Sequence, residues 1–174
     1  MTRRTRRWLL ISIPSVIFLT ILFLSGELAI PVAGATARDW NPRSFWYEPW
    51  GPSGVHKGID IFAPKGRAVT AAGSGVVVFT GQWSAGGNVA IVLGAKWRFQ
   101  YYAHLDSIAV HKAQWVSRGD AIGRVGNSGN AAGKPSHLHF TVVTAIPYPW
   151  LYSSARQGWK RIYFLDPGPL LTLH

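Results

Sequence analysis

The 174-residue chain has no cysteine and a single methionine, and its 7 acidic residues face 18 lysines and arginines. Without cysteine there is no disulfide framework, no thiolate metal site, no cysteine nucleophile and no lipid-modified cysteine, so any transition-metal site must be built from histidine and carboxylate. Long stretches of helical periodicity are missing as well. Beyond residue 36 short apolar runs alternate with turns, punctuated along the chain by 19 glycines and 11 prolines. That pattern argues against βαβ units and points to an all-β fold, a β-sandwich or barrel, with an antiparallel, sandwich-like sheet domain expected. The net charge of +11 raises nucleic acid as a partner, but most cations are scattered and no nucleic-acid-binding motif is present, so none is expected. An anionic envelope polymer or membrane surface suits the charge better.

Four of the cations, Arg3, Arg4, Arg6 and Arg7, immediately precede an uncharged run from Trp8 to Leu24. Basic residues ahead of an apolar segment mark the cytoplasmic flank of a membrane or secretory segment. Residues 1–35 are therefore expected to hold one apolar transmembrane helix that anchors the chain in an inner membrane, or a signal segment removed at the A-x-A-like Ala33-Gly34-Ala35. Residues 36–174 then form one extracytoplasmic, periplasmic-side domain of the cell envelope. Within it, strands are expected over 68–72, 75–80, 88–93, 97–104, 121–125 and 137–144, after an irregular aromatic lead-in.

The stretch Ser136 to Phe140 reads SHLHF. On a strand His137 and His139 project from one face while Leu138 and Phe140 project from the other. Taken alone, the pair fits surface polarity, a metal ligand beside a satisfied neighbour, or a ligand beside a proton-transfer group. A second concentration is HKGIDIFAPKG, which puts His56 and Asp60 four residues apart, and His104 follows in YYAHLDS. A lone His-x-x-x-Asp is most often a surface ion pair. Together with one imidazole from SHLHF, however, it supplies two nitrogens and one carboxylate oxygen, which suits a catalytic zinc site with one open position.

HKGIDIFAPKGRAVTAAGSGVVV, GGNVAIVL, YYAHLDSIAV, VSRGDAIGRVGNSG and SHLHF occur in that order. The series, over about residues 50 to 142, resembles the M23 zinc metallopeptidases of the lysostaphin and LytM type. The resemblance implies one Zn2+ per domain held by His56, Asp60 and His139, with His104 and His137 as the catalytic histidines beside a substrate groove. The implied activity is a metalloendopeptidase hydrolysing peptidoglycan stem peptides or cross-links. The alternative is a non-hydrolytic, peptidoglycan-binding activator of cell-wall amidases, since some relatives of the fold have lost zinc ligands. Protein regulators are not named by the sequence.

The chain departs from the family pattern in places. Its lead-in to the histidine pair is GNSGNAAGKPS, and Thr141 stands where an acidic residue is common. Trp50, with Tyr47 nearby, occupies the region where some members carry an assisting tyrosine, and no role transfers to either. His111 and His174 read as solvated surface histidines.

Overall fold

The computed structural model describes residues 15–16, 18–22, 26–51 and 53–172. Its strands are β1 (Leu28–Ala29), β2 (Ile59–Phe62), β3 (Ala68–Thr70), β4 (Gly75–Trp83), β5 (Gly87–Gly94), β6 (Arg98–Ile108), β7 (Trp115–Val116), β8 (Ala121–Val125), β9 (His137–Thr144), β10 (Phe164–Leu165) and β11 (Leu171–Thr172). Nine of them join in one sheet whose main path runs β10-β9-β6-β5-β4-β7, with β2 added on β9, and β8 on β6 carrying β3. All its pairings are antiparallel, as expected; β1 and β11 form a separate parallel pair. Past residue 25 the described helices are short 3-10 turns.

The alternation of side chains along three neighbouring strands separates a core from a site. Ile59 and Ile61 on β2, Tyr102 on β6, and Leu138 and Phe140 on β9 are all completely buried in one cluster. Each fully buried aliphatic or phenylalanine side chain contributes about 1.5–3 kcal/mol relative to exposure. The intervening residues face the other way. Antiparallel register then sets Asp60 opposite His139 and Phe62 opposite His137, while Ala103 of β6 lies across from His139.

β6 carries a bulge where it meets β5. Ala90 pairs with Tyr102 but Asn88 pairs with Leu105, so β6 has one residue more than its partner over that interval. His104 sits in it with φ of 61°, and its backbone N–H donates to the Gly86 carbonyl at 2.7 Å. Such bulges re-aim a side chain out of the regular alternation. Patterning ends this strand at His104, whereas pairing resumes beyond it and runs to Ile108.

Gly58 brings the His56 loop against β9. A Cβ there would lie 2.4 Å from the Phe140 carbonyl oxygen and 2.5 Å from Thr141 Oγ1. Gly58→Ala is therefore expected to push β2 away from β9 and to destabilise the domain by roughly 1–3 kcal/mol, the usual scale of overpacking. Denaturant melting would measure the loss, and zinc affinity should fall with it.

The membrane anchor requires correction. Among the described residues no helix is long and apolar enough to cross a membrane; the helical ones near the N terminus are 15–16 and 18–22. The uncharged run from Trp8 to Leu24 is itself shorter than the roughly 20 residues a spanning helix needs. Phe18 instead stacks on Trp97 with ring centroids 5.1 Å apart, and the Trp97 indole N–H donates to the Phe18 carbonyl at 3.2 Å. The transmembrane helix, the membrane as a partner through it, and the inner-membrane location are withdrawn. Trp8, His174 and the rest of residues 1–14, 17, 23–25, 52 and 173–174 lie outside the description.

Candidate metal centre

His56, Asp60 and His139 come together at the sheet face. Their ligand atoms all lie within 4.8 Å of one another. His56 Nε2 is 3.1 Å from Asp60 Oδ1 and 3.1 Å from His139 Nδ1, and His139 Nδ1 is 2.8 Å from the same Oδ1. A tetrahedral zinc with ligand bonds of about 2.0–2.1 Å sets its ligands about 3.3 Å apart, close to these spacings.

The remaining ring nitrogens show which lone pairs point inward. His56 Nδ1 lies 3.0 Å from the Ser44 carbonyl, which can only accept, so Nδ1 carries the proton and Nε2 turns its lone pair toward the cluster. His139 Nε2 is 3.0 Å from Thr141 Oγ1, a hydroxyl able to accept its N–H, and in that tautomer the Nδ1 lone pair faces Asp60. Two imidazole lone pairs and a carboxylate oxygen thus converge. A divalent cation satisfies all three at once, so these residues fit one zinc ion, and their outer contacts fix the tautomers as such ligands require.

The electrostatics agree with this. Burial by itself would raise the Asp60 pKa, but its close contacts with His139 and His56 overcome it and hold the carboxyl far below the ordinary carboxylate range. Burial lowers the pKa of His139. Asp60 as an ionised carboxylate and His139 as a neutral imidazole are the forms a cation binds.

His137 and His104 line the same cavity. His137 Nδ1 meets the Pro135 carbonyl at 2.8 Å and His104 Nδ1 meets the Ser128 carbonyl at 2.9 Å. Both carbonyls are acceptors, so each ring keeps its proton on Nδ1 and offers Nε2 to the cavity. The two rings are 5.0 Å apart, and His137 Nε2 is 3.8 Å from Asp60 Oδ1. Burial, followed by the nearby His139 and His137, pushes the His104 pKa down to about 4. His111, by contrast, is exposed and away from the cluster, as the sequence implied.

Residues 54–147 match the family model described as Peptidase family M23. The chain belongs to family M23. It is 39% identical over 88 residues to the peptidoglycan DD-endopeptidase ShyA of Vibrio cholerae, a match covering 51% of this chain and 20% of that protein. It is 35% identical over 153 residues to the L-Ala–D-Glu endopeptidase of Bacillus subtilis, covering 78% of this chain and 45% of the relative. The chain thus spans less than half the length of these curated relatives. Among solved structures, lysostaphin from Staphylococcus simulans aligns with a TM-score of 0.64 at 25% identity, over 84% of this chain and 54% of lysostaphin.

Three features of this M23 domain were not assigned from the sequence. The Trp50 ring stacks on His56 at 4.1 Å and shields one side of that imidazole. Tyr101 lies edge-on to His139 at 6.2 Å and stacks on Trp83 at 5.5 Å; burial raises its pKa to about 12, so its hydroxyl stays a donor. The C-terminal extension braces the site loop, since the Gln157 side-chain amide donates to the Ser53 carbonyl at 2.8 Å and the Trp46 indole N–H to the Arg156 carbonyl at 3.3 Å. The aromatic pattern carried a signal for Trp50 and Tyr101. The brace joins segments about a hundred residues apart and left none.

Proposed function

We propose that the chain is a zinc-dependent endopeptidase that cuts peptide bonds in peptidoglycan, with His56, Asp60 and His139 as the metal ligands and His104 and His137 as the catalytic pair. The observation that carries this reading is one open cavity of about 1200 Å³ lined by all five residues. The name of the V. cholerae relative, a peptidoglycan DD-endopeptidase, supports the substrate class, and that of the B. subtilis relative, an L-Ala–D-Glu endopeptidase, supports cleavage at an acidic peptide. The cavity is then the substrate groove, with the scissile bond seated above the cluster.

Zinc, when bound, supplies a Lewis acid that polarises a carbonyl and activates water near neutral pH. The chain's own residues do the rest. His137 and His104, each held by a backbone carbonyl at Nδ1, present Nε2 to accept a proton from the attacking water and to return one to the departing amine. Their fixed Nδ1 protons prevent the rings from turning to the wrong tautomer. Among the described residues no glutamate lines the cavity to act as general base, so proton transfer rests on the imidazoles. Tyr101 offers a neutral hydroxyl beside His139.

The experiment is mass spectrometry of fragments released from purified peptidoglycan by the zinc-loaded chain, with a metal-chelated sample as control. New amino termini inside the stem peptides or bridges, absent after chelation, are the expected result. A chain that holds stoichiometric zinc and releases nothing would instead be a wall-binding, non-hydrolytic activator of amidases.

A further inference from the structure

The groove has a charge pattern that its metal site does not need. Among the described residues, and apart from Asp60, which is taken up by the histidines, the charged side chains lining it are Lys57 and Lys134. Lys57 follows His56 directly and is half-buried. Its ammonium rests on the Ser53 and Val55 carbonyls at 3.3 and 3.5 Å. Among the described residues its partners include no carboxylate; the lysine and arginine ion pairs there are Lys65 with Asp106 and Arg118 with Glu27. Lys134 is exposed on the loop that delivers His137, and it too has no carboxylate partner among the described residues.

A partly desolvated ammonium bound only to carbonyls retains most of its charge for an incoming anion. Lys57 and the exposed Lys134 stand on the two loops that supply His56 and His137, so a peptide crossing the cluster passes both. Away from the cluster the groove is lined by Val78, Ile91 and Phe99, which suit small aliphatic side chains. A bridge made only of glycine uses neither the cations nor the apolar floor.

Resting on the endopeptidase reading above, we infer that the groove selects acidic peptides, those with a free carboxylate close to the bond that is cut, and that Lys57 is the specificity-determining residue that receives it. The carboxylate has two possible sources, an acidic residue within the peptide or the peptide's own C terminus. Both present the same anion to Lys57.

The test compares synthetic stem peptides binding to the full zinc-loaded chain carrying His137→Ala, which removes turnover, by calorimetry. One pair differs only in a free or amidated glutamate carboxyl, a second only in a free or amidated C terminus, and pentaglycine is the neutral reference. The expected result is roughly tenfold tighter binding of the free acid in one of the pairs, the scale of a hydrogen bond to a charged group. That pair identifies the source. The advantage should shrink as salt rises, vanish with Lys57→Met and persist with Lys57→Arg. Equal affinity of acid and amide in both pairs, or pentaglycine binding as tightly as the acids, overturns the inference, and this comparison needs no change at Lys57. Cleavage of the same peptides by the unmodified chain is read in parallel. Acid selectivity without any hydrolysis supports the inference and overturns the enzyme reading; hydrolysis without selectivity does the reverse.

Discussion

Replacing Asp60 by alanine is expected to take the zinc content of the purified chain from one ion to nearly none. Hydrolysis of peptidoglycan should fall by about three orders of magnitude or more, corresponding to several kcal/mol of lost charge stabilisation. Asp60 Oδ1 is the point where the cluster joins, 2.8 Å from His139 and 3.1 Å from His56. Without it two buried imidazoles remain with no negative charge to balance a divalent cation. The sheet itself should survive, because Asp60 faces away from Ile59 and Ile61, which pack the core. Elemental analysis and circular dichroism on one sample separate the two effects. A variant with full zinc and full activity would remove Asp60 from the ligand set.

The second large effect separates metal binding from proton transfer. His104→Ala and His137→Ala should each keep one zinc per chain and lose about 10²- to 10⁴-fold in kcat, the range for a positioned acid or base. Neither ring belongs to the three-atom cluster. The double variant should be little slower than the slower single one, since groups that act as a unit are non-additive. Loss of zinc in either single variant would make that histidine a ligand instead.

The five residues that line the cavity together were singled out because their short segments occur in the order of the family they resemble. SHLHF fixes two side chains on one strand face, and β9 presents both toward Asp60. HKGID needs only a tight approach, which Gly58 supplies against Phe140 and Thr141. The tautomers were not legible, because they depend on carbonyls of Ser44 and Ser128, 12 and 24 residues from the rings they hold. A carbonyl's direction follows from the path of the chain, and any residue type could have supplied it. Thr141 lies between these cases: its position after Phe140 is plain in sequence, but its bond to His139 Nε2 appears only once the strand is formed. In the fold, the strands with clear alternation were foreseen, while β1, β7, β10 and β11, of two residues each, are too short to carry a period. The N-terminal apolar run misled, because hydropathy alone does not distinguish a membrane segment from residues such as Phe18 that pack on Trp97.

The left-handed backbone at His104 sets two kinds of selection against each other. For a residue with a side chain this conformation costs about 1–2 kcal/mol, and glycine or asparagine adopts it more readily. A laboratory screen that rewards only heat resistance would therefore enrich His104→Gly and His104→Asn. It would return sturdier proteins that no longer cut, so a thermostabilisation campaign on this domain should hold position 104 fixed from its first round.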